Sequence, residues 1–172
     1  MKHYPQFVTA TILEWKHLLK QDKYKQIIID SLGFLVRENR IQVYGFVIMP
    51  NHIHLIWHLD ESRDKSDVQR DFLKFTGQKI KFDLQDHHPQ VLEKFLVQSK
   101  DRKYQIWERN PRIFDIYHIE ILEQKLNYIH NNPLQAHWML AEKPEDYYFS
   151  SARFYFTGCD DFGFLTHYKD GK

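Results

Sequence analysis

The stretch IQVYGFVIMPNHIHLIWHL, residues 41–59, constrains the fold more than any other part of the chain. It holds two apolar runs divided only by Pro50 and Asn51. A strand that reaches Pro50 stops there, because proline offers no N–H to a sheet ladder. The link between the runs is short and rich in turn formers, so residues 41–49 and 52–59 predict a β-hairpin.

Other segments take their places around that hairpin. Residues 5–12, PQFVTATI, are β-branched and aromatic and predict a first strand. Ile27, Ile28, Leu32, Leu35 and Val36 recur at helical spacing and predict a helix over 24–39. After the charged loop 60–67, Ser66 or Asp67 is expected to cap a helix over 68–83. Its apolar members are Phe72, Phe75, Ile80 and Phe82, and Gly77 weakens it. His87-His88-Pro89 breaks the chain before a short helix at 91–97. A strand is expected at 104–107, and a short segment at 113–116 follows the turn Asn110-Pro111-Arg112. Ile119, Leu122, Leu126 and Ile129 mark a helix over 118–131 that Pro133 stops. The aromatic segment PEDYYFSSARFYFTG is expected to pack back on the core. The order β-α-β-β-α-(α)-β-α, without repeats or linkers, reads as one α+β domain.

Length and composition fit that reading. A chain of 172 residues can bury roughly 70% of its unfolded surface. The single cysteine, Cys159, excludes an internal disulfide framework and a cysteine-based zinc site. The longest apolar stretch is too short to span a bilayer, so no membrane partner is expected. The opening residues MKHYPQF hold no apolar signal region, and the expected location is cytoplasmic. The formal net charge of +1 selects no partner. Its distribution is uneven: residues 94–112 carry six Lys/Arg against two Asp/Glu, and residues 113–172 carry five against nine. Such a chain can hold a phosphate backbone on its basic side, although the same charges can simply solvate a surface.

Two constellations carry chemistry. His52 and His54 are i and i+2 on a strand, so they share one face about 6.8 Å apart and can converge on one divalent metal. A lone His-x-His arises easily by chance, but two polar rings in an otherwise apolar strand need a reason. His58 lies on the same face, too far along to join them. On the helix over 118–131 and its end, Tyr128 and Asn132 are i and i+4 and share a face. A phenol is a possible nucleophile towards phosphorus when a metal polarises the phosphate, and an amide oxygen one turn on can complete the metal's shell. Read in isolation, Tyr128 is simply a half-buried aromatic, and His130 is expected at the surface. Ser150 and Ser151 read as caps of a helix or turn, not as nucleophiles.

The string Tyr44-Gly45-Phe46-Val47-Ile48-Met49-Pro50-Asn51-His52-Ile53-His54-Leu55-Ile56 resembles the signature of the single-tyrosine HUH transposases. Tyr128-Ile129-His130-Asn131-Asn132-Pro133-Leu134-Gln135-Ala136 resembles the tyrosine helix of the same group. Within it the chain resembles the REP-associated tyrosine transposases, in which Asn often stands at the i+4 position. Phe7-Val8-Thr9, Trp107 and Tyr148-Phe149-Ser150-Ser151-Ala152 match flanking elements, so the resemblance spans residues 4–156. The segment 60–103 departs from it as a longer, more polar helical insertion, and His137-Trp138 departs where a glycine-containing stretch is usual.

The resemblance implies a ferredoxin-like core: a central antiparallel sheet with flanking helices, all within one domain over 1–172, with 157–172 as a C-terminal tail. It implies that His52, His54 and Asn132 bind Mg²⁺ or Mn²⁺ and that Tyr128 is the nucleophile. The activity implied is nicking and rejoining of hairpin-containing single-stranded DNA through a 5′-phosphotyrosine intermediate and a free 3′-hydroxyl. The imidazole and amide set leaves positions for phosphate oxygens and water. Lys100, Arg102, Lys103, Arg109 and Arg112 are the expected contacts to the DNA backbone, with Tyr104 and Trp107 interleaved as bases' stacking partners or, for Trp107, as core. Two other readings stand beside the enzyme: a domesticated hairpin-DNA-binding protein that does not transpose, and a metal-dependent hydrolase that uses the two His without Tyr128. Monomer and homodimer are both open.

Overall fold

A computed structural model describes residues 2–172; Met1, the first residue of the expected domain, lies outside them. The chain forms strand β1 (Gln6–Thr11), helix α1 (Asp22–Arg37), strands β2 (Ile41–Ile48) and β3 (His52–Leu59), and helix α2 (Lys65–His87). A four-residue helix α3 (Pro89–Leu92), strand β4 (Arg112–Asp115), helix α4 (Ile119–Asn131) and helix α5 (Ala152–Thr157) follow. The sheet order is β2-β3-β1-β4, and every neighbouring pair is antiparallel. With the connection β1-α1-β2-β3-α2-β4 this is the ferredoxin-like α+β arrangement that the sequence implies.

Alternation along the strands gives each face its own core. Val8, Ala10, Ile53, Leu55 and Trp57 join α1 and α2 in one apolar cluster. Phe7, Val47 and Ile56 join Leu122, Leu126 and Ile129 of α4 in a second. Helix α1 forms because Tyr24, Ile28, Leu32 and Leu35 fall on one buried stripe. It ends where Asn39 turns left-handed (φ 54°) and Arg40 N–H reaches back to Leu35 O.

Helix α2 differs from its expected form in three ways. Its cap is Asp64, whose side chain accepts from Ser66 N–H at 2.8 Å, and neither Ser66 nor Asp67 takes that role. It runs through Gly77 because Val68, Phe72, Thr76, Ile80 and Leu84 keep one buried stripe unbroken, and that packing outweighs the roughly 1 kcal/mol cost of a helical glycine. Phe75 and Phe82 lie off this stripe and are exposed. The segment expected as an insertion thus supplies the second helix that covers the sheet. The helix expected at 91–97 shrinks to α3 and a 3₁₀ turn at Glu93–Phe95. The strand expected at 104–107 is only two isolated bridges, Leu96 to Tyr104 and Ile12 to Trp107. The expected tail is part of the core: Phe164 is buried and Leu165 bridges Val43. Among the described residues, no helix is long and apolar enough to cross a membrane.

Candidate active site

Strand β3 and helix α4 bring the two sequence constellations together. His52 and His54 point to the α4 side of the sheet, both buried, with ring centroids 4.8 Å apart. On α4, Leu122, Leu126 and Ile129 form the buried stripe. Lys125, Tyr128 and Asn132, at the next helical register, line the cleft beside it. Gly45 on β2 allows that helix to lie close: a Cβ there would collide with Leu126 Cδ1 and stand 3.3 Å from Ile129 Cδ1. The resulting cleft holds about 670 Å³.

The rings in it are short of protons. His52 Nδ1 faces Asn51 Oδ1 at 2.6 Å, and its Nε2 faces Asn132 Oδ1 at 3.1 Å. Burial lowers the His52 pKa against the opposing hydrogen bond from Asn132, so the ring carries one proton for two oxygens. One ring nitrogen therefore presents a lone pair to an amide oxygen, a donor set that a cation between them would satisfy. His54 is held near pKa 3 by burial, with the charges of His52 and Lys125 adding. Its Nδ1 meets Thr9 Oγ1 at 2.9 Å, a contact set by the β1–β3 register, and its other nitrogen has no protein partner among the described residues. Among the described residues no group of three or more His, Cys, Asp or Glu could hold an ion.

Tyr128 is 45% exposed and its ring lies 5.5 Å from that of His54. Lys125 Nζ stands 5.2 Å from the Phe7 ring, 5.5 Å from Phe114 and 5.8 Å from Tyr128. His58 stays apart from the pair, buried with Nε2 on His3 O at 2.9 Å.

The expected basic contacts divide. Arg109 and Arg112 line the cleft, whereas Lys100, Arg102 and Lys103 belong to a separate loop, 97–103. Arg102 and Arg109 pair with Asp101, and among the described residues Arg112 and Lys125 have no carboxylate partner. Trp107 is core: it is buried and its Nε1–H donates to Thr76 Oγ1 at 3.1 Å. Tyr104 donates its hydroxyl to Glu93. His130 is a correction to the surface position expected of it. It is buried, and its Nε2 is hydrogen-bonded to Ser151 Oγ at 2.7 Å. Burial holds its pKa down to about 4, so it is neutral there. Ser150 does cap the turn into α5, with Oγ accepting from Ala152 N–H.

The cleft also holds Thr9, Trp15, Lys125 and Trp138, to which the sequence assigns no part in the chemistry. Lys125 was legible in it, three residues before Tyr128 on the same helix. Thr9 was not, because only the strand register sets it opposite His54.

No family model matches the chain, and no curated protein matches it. Solved structures do. The chain is similar to one described as a REP-associated tyrosine transposase bound to a REP hairpin, at 21% identity, over 100% of this chain and 93% of that one, with a TM-score of 0.66. It is also similar to a presumed transposase of Deinococcus radiodurans R1, at 11% identity, over 76% of this chain and 92% of that one, with a TM-score of 0.49. The chain thus shares the fold of the hairpin-bound structure: a four-stranded antiparallel sheet of ferredoxin-like order, here with α4 on the face opposite α1 and α2.

Proposed function

We propose that this chain is a transposase-type enzyme that nicks and rejoins hairpin-containing single-stranded DNA. The observation that carries the reading is the meeting of Tyr128 on α4 and Asn132 at its C-terminal cap with His52 and His54 on β3, in one cleft. The motif resemblance and the hairpin-bound neighbour support the same substrate class.

In this reading Tyr128 is the nucleophile. Its hydroxyl oxygen forms a bond to a phosphorus of the strand while the bond to the 3′-oxygen breaks. The phenolic proton passes to water, which reaches the half-exposed ring, and the departing 3′-oxygen takes up a proton. The product is a 5′-phosphotyrosine and a free 3′-hydroxyl. A later 3′-hydroxyl reverses the step, and no nucleotide cofactor is needed because the ester bond energy is retained. His52, His54 and Asn132 fit a divalent cation, Mg²⁺ or Mn²⁺, which when bound would act as a Lewis acid on the phosphate. Thr9 and Asn51 hold the two rings by their Nδ1 atoms. Lys125 and Arg112 offer charge to the phosphate from the cleft wall. Arg109 can join them by leaving Asp101, and Lys100, Arg102 and Lys103 are proposed to meet the strand farther from the reacting phosphate.

Trapping of a covalent adduct tests this. Incubation with a labelled hairpin strand and Mg²⁺ or Mn²⁺ should give a denaturant-resistant protein–DNA species with the wild-type chain and none with Tyr128→Phe, while both bind the strand. An adduct with the Phe variant would remove Tyr128 from the role.

A further inference from the structure

Glu14 and Trp15 are consecutive non-glycine residues in the left-handed region, with φ of 55° and 59°. A bulky residue there is an outlier, and such strain clusters at functional sites. The turn is fixed from both sides. Leu13 is buried and donates its N–H to Ile106 O at 2.8 Å, and Glu14 N–H donates to Glu108 Oε1 at 2.6 Å. Trp15 N–H closes back on Ile12 O at 2.9 Å, and Lys16 Nζ lies over the Phe95 ring. The backbone thus holds Trp15 in place, yet the residue is 63% exposed. That ring lines the cleft that holds Tyr128, together with Arg109, Arg112 and Trp138. Trp138 itself lies 6.3 Å from the His52 ring.

Exposed rings interleaved with cations in one groove are what an unpaired nucleic-acid strand requires: phosphates take the charges and bases take the π-faces. We propose that Trp15 is the stacking platform for one unpaired nucleobase of the strand whose phosphate reaches Tyr128. The inference rests on the strand-binding reading above and adds the subsite that fixes where along the strand the phosphate is presented.

The test is an anisotropy titration of a labelled hairpin with a single-stranded flank, at fixed salt. The proteins are the wild-type chain, Trp15→Ala, Trp15→Phe and Trp15→Gly, each also titrated with flanks carrying one abasic position at a time. Trp15→Ala and Trp15→Gly should weaken binding by about 5- to 160-fold, the range of one base–aromatic stack, and Trp15→Phe should keep most of the affinity. The salt slope should stay as in wild type, since no phosphate contact is lost. One abasic position should reproduce the loss in wild type and add nothing in Trp15→Ala. Trp15→Gly should melt no lower than wild type, because glycine accepts the left-handed turn. Unchanged affinity in Trp15→Ala, or abasic losses that add to it at every position, overturns the inference while leaving the strand reading in place. A Trp15→Gly variant that melts lower assigns the residue to structure and overturns it too. Failure of the wild-type chain to bind any single strand overturns both readings together.

Discussion

Ser151→Ala should separate the placement of α4 from the chemistry it carries. The hydroxyl is fully buried, accepts Phe46 N–H of β2 at 3.0 Å, lies 3.3 Å from Phe46 O, and is hydrogen-bonded to His130 Nε2 of α4 at 2.7 Å. One oxygen thus ties the helix that bears Tyr128 to the sheet. Its removal leaves a buried N–H and a buried ring nitrogen without partners, at about 1–3 kcal/mol each. The expected loss of stability is about 2–6 kcal/mol, and at about 2–4 °C per kcal/mol for a chain of this size the melting temperature should fall by at least about 4 °C. Urea and thermal unfolding of Ser151→Ala, His130→Phe and the double variant measure it, and the two substitutions should be non-additive because they share one contact. Strand cleavage should fall further than strand binding, because a misplacement of about 1 Å at a nucleophile can cost about 100-fold in rate. A loss below about 0.5 kcal/mol, or strict additivity with His130→Phe, would refute the reasoning.

The same histidine gives a pH dependence. Its pKa is 6.5 when free and about 4 when folded, so between these values the unfolded chain takes a proton that the folded chain refuses. Stability from this group is therefore complete above about pH 6.5 and falls towards pH 4, by up to roughly 3 kcal/mol, and His130→Phe should flatten that share of the slope in unfolding measured across the window. His52→Ala and His54→Ala should each weaken Mn²⁺ binding in calorimetry and abolish nicking, with Asn132→Ala milder because water can replace one oxygen ligand; undiminished binding in both His variants ends the metal assignment. Gly45→Val should push α4 off β2, lowering stability by about 1–3 kcal/mol and nicking by more than strand binding, so wild-type melting and rate would show that the close approach is unimportant. A hairpin-bearing single strand should bind more tightly than a duplex of equal length, since bending a duplex into the cleft costs about 1–6 kcal/mol, and equal affinity would contradict this; charge reversal at Arg112 should weaken all sequences alike.

The hairpin, the helix over 118–131 and the pairing of His52 with His54 were legible in the sequence because each rests on local periodicity or on a proline stop. So was the common face of Tyr128 and Asn132, a matter of helical spacing. Tertiary structure decided the rest. Helix α2 takes its buried stripe from the sheet it covers, which is why Phe75 and Phe82 face water although they are as apolar as Phe72. His130 is buried because α4 lies flat against β2 and the C-terminal segment, and no local pattern reports that contact. The basic stretch 100–112 reads as one patch in sequence, but folding sends Arg109 and Arg112 to the cleft and leaves Lys100, Arg102 and Lys103 on another loop. Thr9 and Trp15 enter the site only through strand register and a strained turn, which are properties of the packed sheet. Local spacing sets which side chains share a face; which faces meet is set by the long-range packing that buries them.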